Sequence, residues 1–212
     1  MTPMTFTDPR LAKLDGFRVE IDAARERADV ILDRPPLNVI SMPQRDQLRL
    51  VFEALDENDT VRIVVLRSIG EHFSSGGNIA GFLEATPETV SKLAWNIAAP
   101  ARCSKPVIAA NRGYCFGVGF EISLACDFRI ATDCVADAKL EATTDALVDE
   151  LRAFSPLAQR TAKKLLNDTE DAMLSTAIEL EGHCYSRLRQ SDDFREGVEA
   201  FHAKRPAKFT GT

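Results

Sequence analysis

The sequence predicts an α/β domain followed by an all-helical C-terminal region. Residues 62–66 (RIVVL) and 106–110 (PVIAA) are continuous apolar runs, which are typical of strands buried on both faces. Helical patterns separate these runs, and such alternation indicates parallel β-α-β units with right-handed crossovers. After Cys134 the chain shows only helical patterns, which predict the helical C-terminal region.

The individual elements follow from local patterns. Residues 17–21 and 28–32 are rich in β-branched side chains around a charged turn, so they predict an antiparallel hairpin. Ser41, with Pro43 just after it, predicts the start of a helix with one apolar face. A further strand is predicted over 128–131. One helix is predicted to start at Asn78, one at Pro87 and one just after Gly117. Four more helices are predicted over 137–154, 156–167, 172–189 and 192–203.

The composition is that of an ordinary soluble globular protein. Hydrophobic residues make up 45% and charged residues 27% of the 212 positions, and the net charge is −6. Because nucleic-acid-binding proteins normally present a basic surface, this acidic balance argues against a nucleic-acid partner. No apolar run approaches the roughly 20 residues that span a bilayer, and the first residues lack the apolar core of a signal peptide. We therefore expect a cytoplasmic protein that has no membrane partner.

The cysteines predict neither disulfides nor a metal site. Their number is odd, and none of them forms a C-x-x-C pair: Cys103, Cys115, Cys126, Cys134 and Cys184. Buried, reduced thiols are the expected state in an intracellular protein. The three histidines do not lie at ligand spacing from these cysteines, so we expect no zinc site.

The stretch of residues 113–127, GYCFGVGFEISLACD, is the strongest candidate for a functional element. Its glycines let the backbone pass close to a ligand, and a helix is predicted to follow them. A helix N-terminus beside such backbone favours developing negative charge. Glu121, in the first helical turn among apolar neighbours, is a candidate proton carrier. A glutamate there can also serve only the helix dipole, so the residues alone leave its role open.

A second glycine-rich loop, residues 72–79 (HFSSGGNI), follows the other buried strand. By itself such a loop is more often an ordinary tight turn. Two loops that follow parallel strands could each direct one N–H at the same oxygen, and one such oxyanion-hole donor contributes about 3–4 kcal/mol in the transition state. Dinucleotide binding is not indicated, because Ile122 occupies the third glycine position of G-x-G-x-x-G. Ser74 and Ser75 lack the G-x-S-x-G context of a nucleophile.

These two loops resemble the crotonase family, also called the enoyl-CoA hydratase/isomerase superfamily. Residues 73–79 (FSSGGNI) match its F-[SC]-[AS]-G-x-[DN]-[LI] loop. Residues 105–127 match K-P-V-I-A-A-x-x-G-x-x-x-G-x-G-x-E-[IL]-x-L-x-x-D position by position. Residues 34–39 (RPPLNV) and 193–206 are similar to two further family motifs. The resemblance implies a crotonase-like ββα superhelix over residues 1–134, and an all-helical C-terminal tail over 135–212 that serves oligomerisation.

The resemblance also implies a substrate and roles for particular residues. The backbone N–H groups of Gly77 and Val118 would hold the thioester oxygen of an acyl-CoA and stabilise an enolate. Glu121 would be one of two catalytic carboxylates. The implied substrate-binding residues are Leu37, Val39, Ser75, Gly77, Asn78, Ile79, Gly117 and Val118. No metal and no cofactor is implied beyond the coenzyme A of the substrate, and a homotrimer or hexamer is expected.

The chain departs from the family pattern after Cys134. There the family has a further segment of roughly fifty to sixty residues that carries the second carboxylate, and without it this chain is short for the fold class. Asp133, Asp137 and Glu141 are nearby acids, but their spacing singles out none of them. Either the protein has lost this segment, or the natural chain is longer. The intact tail motifs favour a longer chain, since a loss would leave unpaired backbone and exposed apolar surface.

The expected activity is the addition of water across a 2-enoyl double bond, because hydration uses two carboxylates. If Glu121 acts alone, a proton-shifting isomerase or a hydrolase of the same superfamily fits better. A third hypothesis is a catalytically silent chain that binds CoA esters or assembles with partner subunits. Four apolar side chains could shape an acyl pocket, although each is equally typical of a core position: Phe82, Trp95, Ile97 and Phe116.

Overall fold

In the computed structural model, which describes residues 8–79, 81, 85–132 and 134–212, contacts group the chain into two compact units. The first unit is Met1–Val148 and contains all the described strands. The second unit is Asp149–Thr212, and its regular elements are helices. The predicted boundary at residue 134, between the crotonase-like core and the helical oligomerisation region, remains a prediction.

A five-stranded sheet in the order β1-β2-β3-β4-β5 forms the centre of the first unit. β1 pairs with β2 in antiparallel orientation, with Phe17 opposite Leu32, and β2 to β5 are parallel to one another. The predicted hairpin and the predicted parallel units are both present. The strands are β1 Phe17–Asp22, β2 Arg27–Leu32, β3 Ile63–Ser68, β4 Val107–Asn111 and β5 Phe128–Ala131.

The helices of the first unit connect the parallel strands. Ser41 caps the first helix through a capping box, in which its hydroxyl accepts from the Gln44 N–H and the Gln44 side chain accepts from the Ser41 N–H. The predicted helix after Pro87 is divided into three short helices. The helix predicted to start at Asn78 covers residues outside the described ones, and the candidate pocket residue Phe82 lies outside them too. The helices are α1 Met42–Asp56, α2 Pro87–Ser91, α3 Leu93–Ile97, α4 Ala99–Arg102, α5 Val118–Leu124 and α6 Asp137–Arg152.

The core lies between the sheet and α1. β3 is the central strand, and Val64 and Leu66 are fully buried on it, as its continuous apolar pattern predicts. α1 covers them with Val51 and Phe52, which are also buried. Because burying one such side chain contributes about 1.5–3 kcal/mol, this layer holds the strands in register and fixes where their carboxyl ends meet.

The described part of the chain shows neither a membrane span nor a metal cluster. None of the described helices is both long and apolar enough to cross a bilayer. Among the described residues, no group of three or more His, Cys, Asp and Glu side chains could hold a metal ion. All five cysteines carry free thiols; Cys103 and Cys126 are buried, whereas Cys134 is exposed, so the expectation of buried thiols is wrong for Cys134.

In the second unit, a buried carboxylate ties the chain end to the last helix. The helices are α7 Pro156–Thr169, α8 Leu174–Leu188 and α9 Asp192–Ala203, close to their predicted bounds. Asp193, in the first turn of α9, is buried. Its carboxylate accepts from the N–H groups of Thr210 (2.8 Å) and Gly211 (3.0 Å) and from the Ser155 hydroxyl (2.5 Å). One side chain thus joins α7, α9 and the chain end.

Replacing Asp193 with Ala is expected to lower the free energy of unfolding by about 3 kcal/mol, because charge-assisted hydrogen bonds are lost and their donors stay buried. The matched control is Asp192→Ala. Asp192 is exposed and its side chain pairs with Arg195 on the helix surface, so its loss is expected to cost less than about 0.5 kcal/mol. Urea denaturation of the full chain measures both variants, and equal losses would contradict this role of Asp193.

Candidate active site

Three loops meet where the parallel strands β2, β3 and β4 end. They are residues 33–41, 69–79 and 112–117, and backbone hydrogen bonds join them in that order. The Ser75 N–H donates to the Leu37 carbonyl (2.8 Å), and the Ser74 N–H donates to the Tyr114 carbonyl (2.9 Å). The middle loop is therefore held between the other two by its backbone, independently of its side chains.

Asn38 fixes the first loop to the second. Its buried side chain donates to the carbonyls of Ile69 (3.0 Å) and His72 (2.7 Å), and its oxygen accepts from the Arg34 N–H (2.8 Å). The Ser74 hydroxyl donates to the Asn38 carbonyl (2.8 Å). No role for Asn38 was predicted from the sequence, although its place within the RPPLNV motif was a signal that could have identified it.

The orientation of the Gly77 N–H follows from peptide planarity. The Ile40 N–H donates to the Gly76 carbonyl (2.9 Å), so that carbonyl points toward the first loop. In a planar trans peptide the N–H of the next residue points the opposite way. The Gly77 N–H is therefore directed away from the first loop, on the side where residues 112–117 lie.

The Val118 N–H is oriented by the same argument. The Gly117 carbonyl accepts from the Glu121 N–H (2.9 Å), as in the first turn of a helix, so it points into α5. The N–H of Val118 belongs to the same peptide plane and points out of the helix end. Gly117 itself has φ 50, a left-handed conformation that favours glycine.

The two peptides lie next to each other. Gly76 has φ 111, and a Cβ built on it would lie 3.7 Å from the Gly117 Cα and 3.3 Å from the Phe116 carbonyl oxygen. A Cβ on Gly117 would in turn lie 3.4 Å from the Gly76 Cα. The two loops therefore approach each other through their backbones at these glycines. The N–H groups of Gly77 and Val118 follow directly after the two contacting residues.

Glu121 is exposed one turn along α5 from Val118. Arg45 of α1, which is buried, is a cation whose charge interacts with that of Glu121. Burial lowers the pKa of the Arg45 guanidinium, and the negative charge of Glu121 opposes that lowering. The Glu121 carboxylate and the Val118 N–H thus lie within one turn of α5, and the Gly77 N–H belongs to the loop that contacts the start of this helix.

Two of the nearby acids that the spacing did not single out, Asp137 and Glu141, pair with Arg112. Arg112 pairs with Glu141, at 3.0 Å between Nη2 and Oε1, and lies 3.6 Å from Asp137. Asp133 lies outside the described residues. One guanidinium thus pairs with both Asp137 and Glu141, and no hydrogen bond or ion pair in the described structure joins either acid to Glu121.

The residues expected to bind substrate line the accessible side of the three loops. Leu37, Asn78, Ile79 and Gly117 are exposed. Val39, Ser75 and Gly77 are half-buried, whereas the Val118 side chain is buried and only its N–H bears on the site. These side chains and backbone groups are open to a ligand that approaches the carboxyl ends of the strands, which is where α/β sheets bind ligands.

An uncovered apolar surface adjoins the site. Phe116 is 57% exposed, and Phe120 and Leu124 of α5 and Phe128 of β5 are exposed as well. The interpretation of Phe116 as a core residue is therefore wrong, and so is that of Trp95, which is also 57% exposed. Ile97, in contrast, packs against the core. Because β5 is an edge strand of the described sheet and ends three residues before residue 134, Phe128 lies close in sequence to the point where the chain departs from the family pattern.

Comparison with known proteins identifies the family. The family described as enoyl-CoA hydratase/isomerase matches residues 25–135, more than half of the chain, and this match takes in both glycine loops and Glu121. The chain belongs to the enoyl-CoA hydratase/isomerase family. The resemblance inferred from the motifs is thereby confirmed.

Individual relatives are similar to this chain at low identity. An enoyl-CoA isomerase/hydratase of Mycosarcoma maydis is 25% identical, over 91% of this chain and 97% of that protein. A carnitinyl-CoA dehydratase of Proteus mirabilis is 31% identical, over 57% of this chain and 48% of its own length. The crystal structure of an enoyl-CoA hydratase from Bacillus anthracis superposes with a TM-score of 0.81 at 23% identity, covering 93% of this chain and 100% of that one. The predicted crotonase-like fold is confirmed.

The enoyl-CoA hydratase/isomerase relatives are longer than this chain. The alignment with the Mycosarcoma protein is 268 positions long. It includes 91% of the 212 residues of this chain, which is about 193 residues. At about 75 aligned positions, therefore, the relative has a residue and this chain has none. The family match ends at residue 135, next to the point at which the motifs predict a missing segment. Phe116, Phe120, Leu124 and Phe128 are thus exposed beside the point where the family match ends.

Proposed function

We propose that this protein transforms an acyl-CoA thioester through an enolate, with Gly77 and Val118 as the oxyanion-hole donors and Glu121 as the acid/base group. The observation that carries the proposal is the contact between Gly76 and Gly117, which brings two outward-directed peptide N–H groups together beside one accessible carboxylate. Membership of the enoyl-CoA hydratase/isomerase family supports the thioester as the substrate class.

The chemistry follows from these three groups. The Glu121 carboxylate removes a proton from the α-carbon of the thioester, and the electron pair moves onto the carbonyl oxygen. Two N–H donors aimed at that oxygen stabilise the new negative charge, and one such donor contributes about 3–4 kcal/mol in the transition state. Glu121 then returns the proton to another carbon of the conjugated system, which shifts the double bond.

Within this class, a single acid/base group favours a proton-shifting isomerase over the predicted hydratase. Hydration needs one group to activate water and another to protonate the α-carbon. Asp137 and Glu141 are both engaged by Arg112, so neither supports the second role. An enoyl-CoA hydratase remains the alternative if a further carboxylate is supplied by another part of the chain or by another subunit.

The proposed assembly is a homotrimer or hexamer through the helical tail. The second unit supports this with an open apolar groove of about 490 Å³, with Tyr185, Val198 and Phe201 on its rim. All three side chains are exposed, and Phe201 is 81% accessible. Exposed apolar surface of this kind is typical of protein interfaces.

A catalytically silent chain that binds CoA esters or partner subunits is the second candidate. The uncovered apolar surface formed by Phe116, Phe120, Leu124 and Phe128 favours it, since a partner could cover these side chains. This candidate predicts binding of a CoA ester without turnover.

Two assays distinguish the candidates. A 3-enoyl-CoA and crotonyl-CoA are each incubated with the purified full chain, and absorbance of the conjugated thioester reports isomerisation and hydration. We expect conversion of the 3-enoyl-CoA to the 2-enoyl-CoA to exceed hydration of crotonyl-CoA. Faster hydration would favour the hydratase. Binding of the CoA esters with no turnover of either would reject the proposed activity in favour of the silent chain.

A further inference from the structure

The Ser74 side chain joins two of the loops that form the candidate active site. It is fully buried, and its hydroxyl makes two hydrogen bonds. The hydroxyl accepts from the Gly76 N–H (3.1 Å) and donates to the Asn38 carbonyl (2.8 Å). A serine that bonds only to the N–H two residues on forms an ordinary turn within its own loop. The bond to Asn38 is different, because it reaches a separate loop 36 positions earlier in the chain.

The Ser74 hydroxyl restrains the conformation of Gly76. This glycine has φ 111, in a region that glycine alone adopts readily, and it has no side chain to hold it there. The peptide plane before Gly76 is held through its N–H by Ser74, and the plane after it is held through its carbonyl by the Ile40 N–H (2.9 Å). The Gly77 N–H belongs to the second plane. Backbone bonds thus place the loop, whereas the hydroxyl helps to set the direction of one N–H within it.

Ser74 also contacts the third loop and the start of α5. Its N–H donates to the Tyr114 carbonyl (2.9 Å), and its carbonyl accepts from the Phe116 N–H (3.0 Å). A Cβ built on Gly119 would lie 2.5 Å from the Ser74 Cβ and 2.9 Å from its hydroxyl oxygen, so the first turn of α5 passes directly against this side chain. The helix that carries the second proposed donor is therefore packed on the residue that restrains the first.

We propose that the Ser74 hydroxyl is a positioning group of the oxyanion hole, which holds the Gly77 N–H in its productive direction. This inference rests on the proposed function and deepens it. The hydroxyl is buried and both of its hydrogen bonds are to backbone groups, so it acts through the backbone rather than by contact with the substrate. Such positioning matters because a donor stabilises developing charge best when its direction is fixed before the charge forms.

Ser74→Ala tests the proposal in the isomerase assay. The change leaves the Gly76 N–H and the Asn38 carbonyl without their partner. We expect kcat to fall about 10- to 100-fold, the effect of misplacing a catalytic group by about one ångström. KM is expected to change little, because the lost alignment matters only when negative charge develops on the thioester oxygen. Ser74→Cys keeps a weak donor and acceptor at the same place and is expected to recover part of the loss in kcat.

Ser68→Ala is the matched control. Ser68 is the last residue of β3, directly before the same loop, and its buried hydroxyl has no hydrogen-bond partner in the described structure. Its loss is expected to leave kcat and KM unchanged. A Ser74→Ala variant that keeps the wild-type kcat, or whose loss appears only in KM, would overturn the inference. If Ser74→Ala does not fold, Ser74→Cys takes its place: a reduced kcat at unchanged KM is expected, and a wild-type kcat would overturn the inference.

Amide hydrogen exchange tests the same hydrogen bond without turnover. NMR follows the Gly76 N–H in the full chain of the wild type and of both alanine variants. We expect this N–H to exchange at least tenfold faster in Ser74→Ala than in the wild type or in Ser68→Ala. Equal exchange in all three proteins would overturn the inference. Faster exchange in Ser74→Ala of a protein that turns over no acyl-CoA would reject the proposed function, while the restraint of Gly76 by Ser74 stands.

Discussion

Replacing Glu121 with Gln is expected to lower turnover of an enoyl-CoA by a factor of about 100 to 10,000, the usual contribution of a positioned acid/base group. Gln keeps the size and shape of the side chain but neither accepts nor returns a proton at neutral pH. Glu121 is exposed and lies outside the buried core, so the fold should tolerate the change. Binding of the CoA ester is expected to stay near its original strength, because the loops that hold the thioester are unaltered.

Glu141→Gln is the matched control for this prediction. Glu141 is another exposed glutamate of the first unit, and its carboxylate pairs with Arg112. The Glu141→Gln variant loses one exposed ion pair, which contributes little to stability, so turnover should remain close to that of the wild type. Unchanged turnover in Glu121→Gln would reject Glu121 as the acid/base group. Equal losses in both variants would point to a general effect of charge rather than to proton transfer.

Replacing Val118 with Pro is expected to lower turnover by a factor of about 100 to 1,000, which is the effect of removing one oxyanion-hole donor. Val118 is the first residue of α5, where its N–H has no partner within the helix. Proline is well accommodated at the first helical position, so the change removes the donor while the helix can still form. The measurement is kcat for the enoyl-CoA, together with a circular dichroism spectrum to verify the fold.

Val118→Ala is the control, because it truncates the same side chain and keeps the N–H. Val118 is buried in the core cluster, so Val118→Ala is expected to lose stability but to retain most of its turnover. A Val118→Pro variant as active as Val118→Ala would mean that this N–H does not act on the thioester oxygen. The contrast between the two variants separates the loss of a donor from the loss of packing.

Much of the architecture could be predicted from the sequence because it rests on local periodicity. The apolar runs before the two glycine loops are the buried strands β3 and β4, and the hairpin of β1 and β2 follows its β-branched pattern. The glycine motif identified residues 113–127 as a candidate functional element. The structure requires glycine at two of its positions: only glycine adopts φ 50 at Gly117 without strain, and a Cβ at Gly119 would lie 2.5 Å from the Ser74 Cβ.

The remaining features depend on contacts between distant parts of the chain. A pattern of apolar residues does not reveal whether another segment covers them, so it could not show that Trp95 and Phe116 are exposed. The pairing of Arg112 with Glu141 joins residues 29 positions apart and is invisible in the spacing of acids. The burial of Arg45 on the apolar face of α1 likewise depends on the elements that pack against this helix.

Hydrogen–deuterium exchange at the α-carbon of a saturated acyl-CoA tests the central claim most directly. Butyryl-CoA in D₂O needs only a base and an oxyanion hole to exchange its α-protons, so the measurement does not depend on a second carboxylate or on the identity of the natural acyl group. NMR should show deuterium entering the α-position with the wild-type chain and exchange strongly slowed in Glu121→Gln. A wild-type chain that binds butyryl-CoA without exchanging its α-protons, or a Glu121→Gln variant that exchanges them at the wild-type rate, would contradict the proposed enolate chemistry.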